Sequence, residues 1–162
     1  MVKEIYSFSH LPNYPAVYVF YGGAGKGSHV AYVGTTKVLK SRIIEHLVKR
    51  DRSVATGTTA VVLNPEYVTE VKWWKRTEFD ELRYRQAAEL VAFDVFKPTL
   101  KSRGRTKKES RQLYEDVKFR EKMRDFFTGE PTGHLTIRTL QDALAMIEDL
   151  ELRMIELEKR IP

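Results

Sequence analysis

Two short runs rich in β-branched and aromatic residues, Pro15 to Tyr21 and His29 to Val33, stand on either side of Gly22-Gly23-Ala24-Gly25-Lys26-Gly27-Ser28. Such side chains fit a pleated backbone, and a glycine-rich joint lets the chain turn back on itself, so the pair reads as a β-hairpin. The glycines do not suit a phosphate-binding loop. They join strand to strand, whereas a phosphate loop opens a helix whose N-terminus faces the phosphates. Tyr67 to Trp74 alternates apolar and polar residues around Val71 and Trp73 and supplies a third strand. The expected centre of the fold is a small three-stranded antiparallel sheet.

Helical patterns follow each end of that sheet. Thr35-Thr36 can cap a helix from Lys37 to about Arg50, with Val38, Ile43 and Leu47 toward the core and Arg42 and His46 sharing a face one turn apart. Ser53 to Pro65 is compatible with a loop or a short helix. Thr77-Glu78-Phe79-Asp80 opens another helix with acidic residues near its positive end. Leu82, Ala88, Leu90, Val91 and Phe93 give that helix apolar positions before Pro98 stops it. Glu89 falls within this apolar part. A carboxylate there either points outward or is costly to bury unless protonated, paired or bound to a cation. The class is α/β, a small sheet flanked by helices.

From Lys97 onward the chain turns basic, with Lys101, Arg103, Arg105, Lys107, Lys108 and Arg111 opposed only by Glu109. A further helix is expected over Lys107 to Phe127, using Leu113, Val117, Phe119 and Met123, and Gly129-Glu130-Pro131-Thr132-Gly133 marks a linker. Beyond Thr136, apolar residues recur at alternating spacings of three and four: Leu140, Ala143, Ile147, Leu150, Met154, Leu157 and Ile161. With flanking charges such as Glu148, Glu151, Arg153 and Glu158, this reads as a coiled-coil-like seam that pairs with a second copy of the chain. Leu144, Leu152 and Ile155 widen the stripe and leave open a helix packed back on the core. The expected divisions are 1–104 for the main domain, 105–130 for a basic helical extension and 131–162 for a dimerising helix.

The 162 residues, 42% of them hydrophobic, suffice for one compact domain with an accessory element. A formal net charge of +6 favours a polyanionic partner. With no cysteine and four scattered histidines, a disulfide framework or thiolate zinc site is not expected. No run approaches membrane-spanning length and Met1 to His10 lacks an apolar core, so the expected setting is cytoplasmic and not membrane-bound.

Two strand tyrosines, Tyr18 and Tyr32, with Arg42, His46 and a lone carboxylate at Glu89, suit phosphodiester hydrolysis. A phenol can handle a water proton, a guanidinium a phosphate, and a carboxylate a divalent cation. Ala16-Val17-Tyr18 and Tyr32-Val33-Gly34, then Ser41-Arg42-Ile43-Ile44-Glu45-His46, then Ala88-Glu89-Leu90 running to Phe96-Lys97-Pro98-Thr99-Leu100, resemble the ordered motifs of the GIY-YIG nucleases over about residues 14 to 104. That family usually carries asparagine where this chain has Lys101.

The resemblance implies a metal-dependent DNA endonuclease with catalytic Tyr18, Tyr32, Arg42, His46 and Glu89. Tyr18 would be the water-activating group with Tyr32 assisting, Glu89 would hold one Mg2+ or another divalent cation, and Arg42 would clamp the phosphate. His46 would relay a proton or contact phosphate, although a lone helical histidine also suits a structural role. Lys101, Arg103, Arg105, Lys107 and Lys108 would contact DNA phosphates. A non-catalytic nucleic-acid-binding or assembly protein with the same fold is the alternative, given Ala16 and Lys101.

Overall fold

The computed structural model describes residues 1–22, 29–49, 68–101, 105–137 and 140–161. The strands are β1 (Lys3–Ile5), β2 (Ala16–Gly22), β3 (His29–Thr36), β4 (Val68–Trp74), β5 (Leu100–Lys101) and β6 (Gly133–Thr136). The helices are α1 (Leu39–Leu47), α2 (Leu82–Phe96), α3 (Lys108–Glu115), α4 (Val117–Thr128) and α5 (Leu140–Glu158). The expected hairpin tip at 23–28 and the expected loop or helix at Ser53 to Pro65 lie outside the described residues.

β2 pairs antiparallel with β3 and with β4, which is the three-stranded unit read from the alternation. The fuller sheet corrects that reading: among the described residues it has six strands, is mixed, and runs β1-β6-β4-β2-β3-β5. β6 adds antiparallel to β4, β1 parallel to β6, and β5 parallel to β3. These added strands are two to four residues long, too short to carry a periodic pattern. Pairing with the longer strands gives them their extended form and covers edges that would otherwise expose backbone donors and acceptors.

β2 is buried along nearly its whole length because both faces of the sheet are covered. Val17 and Val19 join Val33 and Trp74 in a core with Ala88, Val91, Phe119, Met123 and Phe127 from α2 and α4. Ala16, Tyr18 and Phe20 point the other way, into a core with Leu39 and Ile43 of α1 and with Val71, Trp73 and Leu135. The two layers of helix therefore approach β3 from opposite sides.

Several boundaries differ from expectation. α1 begins at Leu39, and the Thr36 hydroxyl turns back to the backbone of Val38 at 3.1 Å instead of capping a helix from Lys37. Glu78 and Asp80 lie in a 3-10 turn before α2, and Leu82 is exposed rather than in the core. The single helix expected over Lys107 to Phe127 is two. Asp116 breaks it by accepting the backbone N–H of Lys118 at 2.9 Å and of Phe119 at 3.3 Å, capping α4 at its start.

α4 shares a core with α2, and β6 belongs to the sheet. α5 keeps the helix read from the heptads, but Leu144, Ile147, Leu150, Leu152, Met154, Ile155 and Leu157 are exposed and do not pack back on the core. Among the described residues no helix is long and apolar enough to cross a membrane.

Candidate active site

Gly34 is the position that lets the two strand tyrosines approach each other. It pairs with Tyr18 across β2 and β3. A Cβ built on it would lie 2.5 Å from the Tyr18 hydroxyl and 2.8 Å from Cε1 of Tyr32, closer than any side chain can sit. The tyrosine rings are 6.1 Å apart between centroids. His46 from α1 closes over them, with its ring 5.5 Å from that of Tyr32 and its Nε2 3.1 Å from the Tyr18 hydroxyl.

Beside this aromatic cluster lies an open cavity of about 470 Å³ where β3 runs out. β5 pairs with Tyr32 and Val33 alone in β3, so Thr35 and Thr36 extend past it. The cavity is lined there by Thr35 and Thr36, by Ser41, Arg42 and Glu45 of α1, and by Leu82, Arg85, Gln86 and Glu89 of α2. α1 and α2 cover opposite faces of the sheet, and they meet around its edge.

Glu89 faces inward, into this cavity, rather than toward solvent. Burial pushes its carboxyl up to about 7, against the backbone N–H of Thr35, which hydrogen-bonds it, and the charges of Arg42 and Arg85. Arg42 donates from Nη1 to Glu45 at 3.3 Å. Arg85, buried on α2 one turn before Glu89, donates from Nη1 to the carbonyl of Phe79 at 2.6 Å. The Nε atoms of both arginines are buried and have no hydrogen-bond partner among the described residues. Both guanidinium side chains line the same cavity, where they can receive an anion's oxygens.

Tyr18, Tyr32 and His46 do not line the cavity, and Tyr18 has no accessible surface. Burial holds the Tyr18 hydroxyl well above the ordinary phenol range, Tyr32 adds to the shift, Arg42 opposes it and Glu89 adds again. Burial, then the charge of Arg42, pushes His46 down to about 4. At neutral pH the pair is therefore a neutral phenol hydrogen-bonded to a neutral imidazole. Tyr32 keeps part of its surface.

The basic segment is tied to the cavity through a residue that the sequence did not single out. Gln86 donates to the carbonyl of Arg105 at 3.4 Å and accepts from the backbone N–H of Lys107 at 3.2 Å and the hydroxyl of Ser110 at 2.9 Å. Arg105, Lys107 and Lys108 are exposed just beyond it. The backbone of Lys101 pairs with Val33; its side chain, and Arg103 entirely, lie outside the described residues. Arg85 was also missed, although its spacing of four from Glu89 on a helix was legible.

Among the described residues no three acidic or histidine side chains gather into a metal cluster. Among the described residues Glu45 and Glu89 are the carboxylates that line the cavity, and Glu89 is the more buried. No protein-family model, curated protein sequence or solved structure matches the chain.

Proposed function

We propose that this protein is a divalent-metal-dependent endonuclease that hydrolyses DNA phosphodiester bonds inside the cell, as the likeness to GIY-YIG nucleases implies, and that its C-terminal helix pairs it with a second copy. The supporting observation is the cavity lined by Arg42, Arg85 and the inward-facing Glu89.

Arg42 and Arg85 clamp the non-bridging oxygens of the scissile phosphate and stabilise the charge that builds on them as the phosphorus becomes five-coordinate. Glu89 fits a hydrated Mg2+ that takes one protein carboxylate and completes its shell with water and phosphate; the pKa of its carboxyl is raised by burial against the charges of Arg42 and Arg85. When bound, the ion supplies Lewis-acid stabilisation of the phosphate oxygens. Tyr32, which keeps accessible surface, orients the attacking water. The fully buried Tyr18 acts through its neighbours as a positioning residue, holding His46 and adjusting the field at Arg42. Arg105, Lys107 and Lys108, with Lys101 and Arg103 upstream, engage the flanking phosphates.

Supercoiled plasmid nicking tests this reading. Nicking with magnesium that is lost in chelator and lost in Glu89→Ala is expected. A second reading, a phosphate-binding protein without turnover, draws on the same two guanidiniums and on the absence of a carboxylate cluster among the described residues. Salt-dependent DNA binding without nicking in magnesium or manganese would establish it instead.

A further inference from the structure

Helix α5 carries an apolar seam that nothing in the described structure covers. Ile147, Leu150, Met154 and Leu157 are 52%, 54%, 61% and 59% exposed, values close to those of a helix standing in water. A helix of 19 residues does not hold its form in water by propensity alone, so the seam calls for a cover. The identity of that cover is written in the residues around the seam.

In heptad terms the first core position within α5 is filled by Leu140, Ile147 and Met154 and the second by Ala143, Leu150 and Leu157. The flanks are segregated by charge. Glu151 and Glu158 occupy the position following the second core residue, and Arg153 the position preceding the first. In a parallel, in-register pair, each Arg153 faces Glu158 of the other copy, five residues on. An antiparallel pair matches like flank positions, so Arg153 would meet no glutamate. Arg153 now holds Asp149 of its own helix at 2.9 Å, both side chains more than half exposed, a pairing weak enough to be shared or exchanged.

We propose that α5 forms a parallel, in-register, two-stranded coiled coil with α5 of a second copy of this chain, fastened by reciprocal Arg153–Glu158 pairs. The proposal gives an orientation to the dimer suggested above and is independent of the nuclease chemistry. A parallel pair places both catalytic domains at the same end of the coil, where two cavities can address one duplex. About three heptads make the association concentration-dependent rather than obligate.

The test uses the full chain. Sedimentation across a concentration series is expected to show a monomer–dimer equilibrium, abolished by Leu150→Glu with the circular dichroism of the domain retained. Because the chain has no cysteine, Leu157→Cys introduces a single thiol. Parallel pairing brings two copies of position 157 within disulfide reach, whereas a fully overlapped antiparallel pair separates them by about 20 Å. Rapid covalent dimerisation under mild oxidation is expected. Arg153→Glu and Glu158→Arg should each weaken association roughly three- to tenfold, and the double reversal should restore it. A monomer at every concentration overturns the dimer itself; a dimer that neither cross-links through Leu157→Cys nor recovers in the double reversal overturns the parallel orientation alone.

Discussion

Replacing Glu89 by glutamine isolates the cost of holding a carboxylate in the cavity. In the folded protein its pKa stands at about 7, against 4.5 for the free group. Between those values the folded state holds a proton that the unfolded state has released, so stability falls as pH rises. At 1.36 kcal/mol per unit the full loss is about 3 kcal/mol above pH 7. His46 works in the opposite sense. Its pKa is about 4 folded and 6.5 unfolded, so its contribution is complete above pH 6.5 and is lost as pH falls toward 4, again by about 3 kcal/mol. From pH 4.5 to 6.5 the two trends oppose each other and wild-type stability changes little on their account; above 6.5 only the Glu89 loss continues. Glu89→Gln keeps the side chain's shape and removes its titration. Urea unfolding followed by the fluorescence of buried Trp73 and Trp74 measures the difference directly. Stability of the variant relative to wild type should increase by about 3 kcal/mol between pH 4.5 and pH 8. A difference that stays constant across that range would refute the placement of Glu89 in a desolvated cavity.

Other substitutions test separate parts of the account. Gly34→Ala forces a methyl group against the hydroxyl of Tyr18 and should cost about 1 to 3 kcal/mol in urea unfolding, with nicking reduced on the order of a hundredfold. Tyr32→Phe should lower kcat more than Tyr18→Phe does, because Tyr32 has accessible surface and Tyr18 has none; equal kcat values for the two variants would contradict their division of roles. Asp116→Ala removes the cap of α4 and should destabilise by about 1 kcal/mol without changing the metal dependence of cleavage, as read by parallel unfolding and nicking assays.

The long elements were legible because their side chains carry a period. Val17, Val19, Val71 and Trp73 alternate, and α2 ends where Lys97 turns into the left-handed region at φ 47°, just before Pro98. β1, β5 and β6 were not legible. Lys3–Ile5 and Gly133–Thr136 meet from opposite ends of the chain, and no local pattern announces a strand made by a partner 130 residues away. Gly133 sits there because a side chain would enter the ring of Trp73, a steric fact visible only once the strands are paired. The split between α3 and α4 had a signal in Asp116, a capping residue ahead of Phe119 and Met123, but the apolar period runs on through it.

At the site, the sequence named Arg42 and Glu89, which line the cavity, and Tyr18, Tyr32 and His46, which form the cluster beside it. It missed Arg85 because an arginine in a helix is ordinarily exposed, and this one is buried by the turn that precedes α2. The resemblance implied Tyr18 as the water-activating group with Tyr32 assisting, whereas Tyr18 is fully buried and Tyr32 keeps part of its surface. Their exposure depends on where α1 and His46 come to rest over the sheet, which neither short motif encodes.

The most direct test of the central claim is a crystal structure of the Tyr32→Phe variant, slowed in turnover, with a short DNA duplex and magnesium. The account predicts a backbone phosphate within hydrogen-bond distance of the guanidinium groups of Arg42 and Arg85, and a cation between that phosphate and the carboxylate of Glu89. A duplex seated on another face, with the cavity between α1 and α2 untouched, would contradict it.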